Sequence, residues 1–563
     1  MMVNLTLNLF LINRKLKGCK MSEFKDEKFI AVNEPIFNYE KGSKEKQSLK
    51  NQLDKMSNEV IEIPIIIGGK EIKTGNLGKC VMPHNHKHIL AHYHKASPNE
   101  VKLAIDNLMD TWQSWSNTSV EHRITIFRKM AVLLKGPYRD LINASTMLGQ
   151  SKNVFQAEID SACELIDFFN FNCEYLMEII EQQPKYSPEG TKNSMEYRAL
   201  EGFIFAVTPF NFTSIAANLP SAPALLGNVA LWKPASSSVY SGYFLMKLFK
   251  EAGLPDGVIN FIPGSGSEIG NKVLNHKNLA GVHFTGSTKV FQSMLKTIGN
   301  NIANYKSYPR IVGETGGKDF ILAHESSNRK ALYTSMIRGA FEYQGQKCSA
   351  ASRCYIPKNV WNDIKNDFVS DVCSIKVGDV NDFTNFMNAV IDESSFDKIT
   401  SYIEYAKKSD EAEIITGGSY SKDIGYFIEP TTILTSNPHF KTMEEEIFGP
   451  VLTIYIYDQS WEEVCKLVDK TSPYALTGAV FGDDAKAVAY AKKILQHSAG
   501  NFYINDKPTG AVVGQQPFGG SRASGTNDKA GSSLNLLRWT SVRTVKQTFN
   551  TPENYKYPFM SEE

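Results

Sequence analysis

Short apolar runs alternate with helix-like segments between residues 203 and 300, and this alternation restricts the fold more than any other feature of the chain. The apolar runs, each typical of a buried strand, are residues 203–210, 228–232, 258–262 and 281–284. The segments with helical periodicity and end signals are 239–252, 267–274 and a stretch from Ser287 onward. Such short alternation predicts a parallel sheet with right-handed crossovers, whose ligands bind at the carboxyl ends of the strands.

A second alternating block covers residues 310–480 and contains the strand-like runs 320–325, 352–357 and 451–458. Two α/β domains account for the two blocks most simply. Residues 186–202 are interpreted as a hairpin, and residues 541–549 alternate as a strand. Both segments are candidates for sheet edges that pair with another subunit.

The composition excludes several classes of protein. The chain has 563 residues, 42% hydrophobic and 21% charged, and its formal net charge of +1 favours neither nucleic acid nor an anionic membrane. No apolar run approaches the roughly 18 residues of a membrane span. The cysteines form no CxxC pair and no Cys/His ligand spacing, at positions 19, 80, 163, 173, 348, 354, 373 and 465. They indicate a reducing compartment and no metal site.

The N-terminus carries four basic residues between positions 14 and 20 and no acidic residue before Glu23. Basic residues that follow an apolar run are more typical of a mitochondrial presequence than of a secretory signal. A disordered tail, with Met21 as an alternative start, is the other interpretation. Residues 22–57 are polar and lysine-rich and are interpreted as an extended arm or linker.

Three side chains have the chemistry of a covalent mechanism. Cys348 follows Lys347, whose positive charge would favour the thiolate. Glu314 lies among glycines in GETGGK (313–318), and a glutamate near a thiol can act as its base. Asn211 falls at the carboxyl end of the first strand, where its amide can donate to a developing oxyanion. Each also has a plain structural interpretation: a packed cysteine, a solvated turn glutamate or a turn-capping asparagine.

The sequence FTGS (284–287) lies between a predicted strand and a predicted helix. The free backbone amides and the positive dipole end of a helix N-terminus suit a phosphate group. Simple capping by Ser287 is the alternative.

Together and in this order, the motifs resemble those of the aldehyde dehydrogenase superfamily. The motifs are PFNF, ALWKPAS, FTGS, GETGGK, QGQKCSA and EEEIFGPVL. The similarity covers roughly residues 60–550. Three longer stretches, 210–236, 341–357 and 512–531, are similar to the branch that oxidises L-glutamate γ-semialdehyde, the open form of 1-pyrroline-5-carboxylate, to L-glutamate.

The resemblance implies an α/β fold of the aldehyde dehydrogenase type, with a Rossmann-type NAD-binding domain, an α/β catalytic domain and a small β oligomerisation element. The implied parts are a presequence and arm (1–57), an NAD-binding domain (58–312) that includes the 186–202 hairpin, a catalytic domain (313–505), and a substrate-anchor loop with a C-terminal oligomerisation strand (506–563).

The resemblance also implies the mechanism and the cofactor site. Cys348 attacks the aldehyde, the Asn211 amide and the Cys348 backbone N–H hold the oxyanion, NAD takes the hydride, and Glu314 activates water. The residues implied to bind NAD are Thr208, Pro209, Lys233, Gly286, Ser287, Thr288, Lys289, Val290, Glu446 and Phe448.

Two positions depart from the common superfamily pattern. Phe291 stands where many members have a second glycine, and Ser236 stands where many NAD-preferring members have a glutamate. An acid at position 236 would bond the ribose hydroxyls and repel a 2′-phosphate, so the motif alone does not separate NAD from NADP. NAD is the choice that the resemblance implies.

The implied substrate site grips the α-carboxylate and the aliphatic chain of the semialdehyde. The Ser349 hydroxyl and the backbone amides of Gly510, Ala511 and Val512 are its anion donors, the three amides as a nest. Phe212 and Phe518 would sandwich the chain, and a packing serine is the alternative for Ser349.

Three other functions are alternatives to this one. A dehydrogenase of another semialdehyde, such as succinic semialdehyde, differs only in the carboxylate site. A cysteine acyltransferase would not need Lys233, Ser287 and Glu446, and a silent scaffold would not need Asn211, Glu314 and Cys348. The resemblance implies a homodimer or larger homo-oligomer in the mitochondrial matrix, with a small-molecule substrate and no nucleic acid or membrane partner.

Overall fold

The computed structural model describes residues 29–561. The predicted mitochondrial presequence falls within residues 1–28, which lie outside the described part of the chain. The chain divides into a first unit, Met1–Val32, and a second, Asn33–Glu563, and all described helices and strands lie in the second. The predicted division of residues 58–505 into an NAD-binding and a catalytic domain stays a prediction.

The first seven-stranded sheet contains the alternating segments of residues 203–300, as predicted. From one edge to the other its strands are Arg310–Glu314, Leu279–Thr285, Phe203–Val207, Val229–Lys233, Ile259–Phe261, Ile65–Ile67 and Lys70–Ile72. The first five are parallel and the last two join antiparallel. In chain order the parallel strands run 5-4-1-2-3, so the order reverses between Phe203–Val207 and Leu279–Thr285, which is where such sheets bind ligands.

The second seven-stranded sheet is built from the later block. Its order is Ala412–Thr416, Thr431–Thr435, Val451–Tyr457, Ala351–Pro357, Asp319–Ala323, Thr477–Phe481 and Asn501–Ile504, with only the first strand antiparallel to its neighbour. Its two faces are covered by separate apolar clusters. One includes Met336, Trp361 and Phe368 from two helices, and the other includes Phe396 and Val464. Burial of both faces explains the near-continuous apolar runs of the central strands.

Residues 186–202 do not form a hairpin. Strand Thr191–Ala199 pairs antiparallel with Thr540–Thr548, over nine residue pairs from Thr540–Ala199 to Thr548–Thr191. Both strands of this two-stranded ribbon were predicted as edges, but they pair with each other across more than 340 positions of sequence. Trp539, just before the second strand, is buried beside His283 of the first sheet, with ring centroids 4.7 Å apart.

The predicted extended arm is helical over Lys44–Ser57, which corrects the sequence interpretation. Ser43 caps this helix, and Leu49, Leu53 and Met56 are buried. The spacing of these apolar residues by three and four positions is that of one helix face. The lysine-rich composition of the segment led to its interpretation as an extended arm instead.

The remaining elements complete the framework. A three-stranded sheet consists of Ile61–Ile63, Asn85–His94 and Leu77–Met82, and two-stranded pairs join Tyr420–Ser421 to Phe427–Ile428 and Tyr474–Ala475 to Ser521–Arg522. The helices are Pro98–Ser116, Val120–Lys135, Arg139–Gln150, Val154–Ala157, Glu164–Glu181, Thr213–Leu225, Val239–Ala252, Gly266–Leu274, Thr288–Asn300, Arg329–Phe341, Lys358–Cys373, Glu393–Lys407, Lys441–Glu444, Trp461–Lys470, Ala485–Ile494 and Ser533–Leu537. Glu158–Cys163 is a π-helix, and Ser236–Ser238, Ile302–Asn304 and Pro558–Met560 are 3₁₀ turns, whereas Glu342–Gly345 is a tight turn that contains left-handed residues. Within residues 29–561, no helix combines the length and apolarity needed to span a membrane.

Candidate active site

The candidate site lies where the carboxyl edge of the first sheet meets loops that precede strands of the second. Asn211, which follows strand Phe203–Val207, donates from Nδ2 to the backbone oxygen of Gln346 at 3.0 Å. The ring of Phe210 lies edge-on to Phe448, with centroids 5.9 Å apart. The first contact brings the predicted oxyanion donor to the loop that carries Cys348, and the second brings the predicted cofactor residue Phe448 to the residue that precedes Asn211.

A strained loop presents Cys348. Three successive residues, Tyr343, Gln344 and Gly345, have positive φ angles of 50°, 54° and 65°. Buried hydrogen bonds hold them: Tyr343 donates to Gln150 O at 2.9 Å, and Gln344 donates to Ser151 O at 2.9 Å and to Ala389 O at 2.8 Å. Non-glycine residues adopt this conformation only where the surroundings enforce it, so the loop is a pre-organised support for the nucleophile.

Glu314 is the last residue of strand Arg310–Glu314 and interacts electrostatically with Cys348. Burial raises its pKa well above the usual value for a glutamate, opposed by the charge of Lys529 and a hydrogen bond from the Gly520 backbone. Its Oε1 atom is buried and has no hydrogen-bond partner among the described residues. This oxygen is therefore free to accept a proton from a thiol or a water.

The Cys348 thiol is buried, with 8% of the residue exposed. Burial first, and then the negative charges of Glu314, Asp319 and Glu446, raise its pKa well above the usual value. The prediction that Lys347 favours the thiolate is wrong, because the Lys347 ammonium pairs with Asp160 at 3.3 Å. The resting thiol is protonated at neutral pH and needs a base.

A buried ionic cluster behind the nucleophile loop was not predicted. Asp160 accepts from Lys152 at 2.5 Å as well as from Lys347, and Glu164 accepts from the Ser214 hydroxyl. The Lys152 ammonium lies 4.5 Å from the centroid of the Phe212 ring. Burial lowers the pKa of Lys152 to about 8 and raises that of Glu164 to about 8. The spacing of Asp160 and Glu164 by four positions in a helix-like segment was a signal of such a cluster in the sequence.

The predicted cofactor residues other than Glu446 and Phe448 lie along the carboxyl edge of the first sheet. Lys233 ends its strand, is 9% exposed, and has its pKa lowered by burial alone. Thr208 accepts from the Trp232 indole at 2.9 Å and donates its backbone N–H to Lys233 O at 3.2 Å. Pro209 O accepts from the Ser238 hydroxyl at 3.5 Å. Because burial is the cause of the lowered pKa and no acidic neighbour in the described part of the chain opposes it, the Lys233 ammonium suits an oxygen of a bound ligand.

The turn at Gly286 leads into helix Thr288–Asn300, which Ser287 caps. A Cβ at Gly286 would lie 2.8 Å from the Phe284 ring, so a larger residue does not fit. Thr288 donates to Ala523 O at 3.4 Å, and Lys289 and Val290 are exposed in the first turn. The departure at Phe291 is accommodated by stacking on Phe284, with centroids 5.5 Å apart.

Glu446 faces the same cleft from the second sheet. Its Oε1 accepts from the Gly317 backbone N–H at 3.0 Å, and a Cβ at Gly316 would clash with its carboxylate at 2.4 Å. Lys233, the Ser287 helix terminus and Glu446 thus offer a cation, free amides and a carboxylate. This donor set fits the ribose and phosphate groups of a dinucleotide.

Of the predicted substrate residues, Ser349 directly follows Cys348 in the chain. Ser349 Oγ lies 2.7 Å from Thr509 Oγ1, immediately before Gly510. In the loop after Thr509, the Val512 N–H donates to Gln516 Oε1 at 3.0 Å, so this amide is already bonded, whereas Gly510 has a φ of 98° and Ala511 is half-buried. Of the two predicted aromatic residues, Phe212 contacts Lys152, and Phe518 pairs through its backbone with Ala530.

Comparisons with known proteins match this geometry. The model of the aldehyde dehydrogenase family matches residues 73–545. A Dictyostelium discoideum protein named delta-1-pyrroline-5-carboxylate dehydrogenase, mitochondrial, is 54% identical over 94% of this chain and 95% of its own length. The human protein of the same name is 42% identical over 98% of each chain. A solved delta-pyrroline-5-carboxylate dehydrogenase from Mycobacterium tuberculosis, bound with NAD, has a TM-score of 0.91 at 45% identity and covers 95% of this chain and 98% of that one.

The chain belongs to the aldehyde dehydrogenase family. The α/β fold and the family resemblance predicted from the motifs are confirmed, and the narrower similarity agrees with the name that these relatives share, delta-1-pyrroline-5-carboxylate dehydrogenase.

Proposed function

We propose that the protein is an NAD-dependent dehydrogenase that oxidises L-glutamate γ-semialdehyde, formed by hydrolysis of 1-pyrroline-5-carboxylate, to L-glutamate in proline degradation. The observation that carries this proposal is the meeting of Asn211, Glu314 and Cys348 in one cleft, with the Ser349 hydroxyl beside the nucleophile. The names of relatives at 42–54% identity, and the NAD in a solved relative's structure, support it.

The chemistry begins at the Cys348 thiol. Glu314 accepts the thiol proton, and the sulfur attacks the aldehyde carbon, forming a C–S bond and an oxyanion. The Asn211 amide and the Cys348 backbone N–H donate to this oxyanion, which stabilises the tetrahedral state. Lys233, Ser287 and Glu446 would hold NAD, which when bound would supply the acceptor for the hydride that leaves the same carbon.

Release of the product again depends on Glu314. A thioester on Cys348 remains. The Glu314 carboxyl first releases the thiol proton to solvent, and its carboxylate then accepts a proton from water as the water oxygen attacks the thioester carbon. The Cys348 sulfur then leaves and is reprotonated. Because burial raises the pKa of Glu314 well above the usual value for a glutamate, this carboxyl holds a proton more readily than an exposed glutamate does and can return it to the leaving sulfur.

Substrate comparison tests the proposal. The purified protein is given NAD with 1-pyrroline-5-carboxylate or with succinic semialdehyde, and both assays are repeated with NADP. We expect the highest kcat/KM for 1-pyrroline-5-carboxylate with NAD. A preference for succinic semialdehyde would keep the catalytic residues but overturn the substrate, and no nucleotide reduction would favour a cysteine acyltransferase.

The names of the same relatives include the word mitochondrial, and a location in the mitochondrial matrix and a homodimer are part of this proposal. The ribbon of Thr191–Ala199 and Thr540–Thr548 has two free edges, which suit pairing with a second copy. Light scattering on the full chain tests the dimer. A monomer at assay concentration would exclude it.

A further inference from the structure

The side chain of Asn33 joins three parts of the molecule. Its Nδ2 donates to Asp167 Oδ2 at 2.8 Å and to the backbone oxygen of Val513 at 2.8 Å. Its Oδ1 accepts from Gln515 Nε2 at 2.9 Å. One amide near the N-terminus therefore contacts helix Glu164–Glu181 and, 480 positions further along the chain, the loop that follows Gly510.

The segment that carries Asn33 is itself held firmly. Glu34 donates its backbone N–H to Asp167 Oδ1 at 2.7 Å, and its carboxylate accepts from Arg139 at 2.7 Å. Tyr39 is buried and donates its hydroxyl to Glu158 Oε2 at 2.8 Å. Residues 33–39 are thus a fixed support, since charged and buried hydrogen bonds of this kind are costly to break.

The loop is held at two points. At its beginning, the Thr509 hydroxyl lies 2.7 Å from Ser349 Oγ, next to the nucleophile. Further along, Val513 is buried, and a Cβ at Gly514 would lie 2.4 Å from the Phe171 ring. Asn33 supplies the polar contacts to this second point, while the backbone amides of Gly510 and Ala511 lie between the two.

We propose that Asn33 is a positioning residue for substrate binding: it fixes the loop of residues 510–516 so that the amides of Gly510 and Ala511 meet the α-carboxylate of the semialdehyde. This inference rests on the proposed function, which places the carboxylate at that loop. Without the Asn33 amide, Val513 O and the Gln515 side chain lose their partner, while Thr509 stays bonded to Ser349. The loop then samples more positions, and a ligand that needs its amides must order it on binding.

Kinetics with two aldehydes test the inference. In Asn33→Ala, KM for L-glutamate γ-semialdehyde should rise about 10-fold, with kcat within about two-fold, because one or two hydrogen bonds position the loop. KM for propanal, which has no carboxylate, should be unchanged. Tyr39→Phe is the matched control, since it removes a buried hydrogen bond from the same segment without touching the loop, and it should change neither KM.

A double variant distinguishes the contact of Asn33 with the loop from its contact with Asp167. Asn33→Asp combined with Asp167→Asn restores a hydrogen bond between these two positions, but it places a carboxylate against Val513 O. The raised KM should therefore persist in the double variant. A return to the wild-type KM would show that only the contact with Asp167 matters and would overturn the inference.

Hydrogen exchange gives a readout that needs no substrate. Amides in residues 510–516 should exchange faster in Asn33→Ala than in wild type or Tyr39→Phe. Unchanged exchange together with an unchanged KM would overturn the inference. If the wild-type protein shows no preference for the semialdehyde over propanal, the proposed function fails, and the exchange rates still decide whether Asn33 fixes the loop.

Discussion

The two seven-stranded sheets contribute to the site from opposite ends of their strands. In the first sheet, Asn211, Lys233 and Ser287 lie at or after the carboxyl ends of strands. In the second, Cys348 comes just before Ala351–Pro357 and Glu446 just before Val451–Tyr457. Ligand binding at carboxyl ends is the general rule for parallel sheets, and only the first sheet follows it.

In the proposed mechanism, both sheets contribute to binding and to chemistry, but in different proportions. The first sheet offers what a nucleotide needs: backbone amides, a buried cation and a helix N-terminus. The loops of the second offer the nucleophile and a carboxylate, supported by the left-handed residues Tyr343 and Gln344. Asn211 and Glu314 belong to the first sheet but interact with the Cys348 loop, so they join the two contributions.

The largest loss of activity should come from a substitution in the loops of the second sheet, at Cys348. Cys348→Ala removes the attacking sulfur and should lower kcat by at least about 10⁴-fold, as nucleophile deletions do. NAD binding, measured by fluorescence titration, should persist because the residues proposed to hold NAD, Lys233, Ser287 and Glu446, are unchanged. The control is Cys354→Ala, a fully buried cysteine within strand Ala351–Pro357, which should stay active. Substantial activity in Cys348→Ala would exclude the covalent mechanism.

Glu314→Gln should separate the two halves of the reaction. The neutral amide cannot accept a proton from water, so kcat should fall about 10²- to 10⁴-fold. Glu314 also takes the thiol proton in the proposed mechanism, but water is a weaker acid than a thiol and depends more on the base, so an acyl-enzyme at Cys348 should accumulate and be visible by intact-protein mass spectrometry. If turnover is slow but no acyl-enzyme is trapped, Glu314 acts in thiol deprotonation and not in hydrolysis.

Asn211→Ala tests the contact between the sheets. Loss of one oxyanion donor should lower kcat about 10²- to 10³-fold with little change in KM for NAD. Asn218→Ala is a suitable control, because Asn218 is also buried but accepts from Asn172 at 3.1 Å away from the Cys348 loop. A loss of activity shared by both variants would indicate misfolding, which thermal denaturation would detect.

The same contrast explains how much the sequence could predict. Phe203–Val207 and the strands beside it were predicted because alternation and end signals are local. Cys348 and Glu314 were identified from motif residues, but the thiol environment was not, since Lys347 pairs with Asp160 from a distant helix. The pairing of Thr191–Ala199 with Thr540–Thr548 and the contact of Asn33 with Val513 join residues hundreds of positions apart. No local pattern encodes such contacts.

Removal of the Lys233 cation from the first sheet should weaken cofactor binding and leave the chemical step intact. Lys233→Met keeps the length and apolar stem of the side chain, so the fold should be retained. KM for NAD should rise about 10- to 100-fold, the value of a lost charge-assisted hydrogen bond, while kcat at saturating NAD should change little. Steady-state kinetics with NAD varied measures this. A normal KM for NAD would remove Lys233 from the cofactor site.

The smallest effect should appear at Ser349, where a neutral hydroxyl on the nucleophile loop serves binding. Ser349→Ala removes the contact with Thr509 and one donor to the carboxylate, so KM for the semialdehyde should rise about 5- to 10-fold. KM for propanal should rise less, since propanal needs no anion donor. Equal rises for both aldehydes would mean that Ser349 only supports the geometry of Cys348. A selective rise would show that the loops of the second sheet bind the substrate as well as attack it. The sheets would then differ mainly in nucleotide binding, to which the first sheet contributes most of the proposed residues.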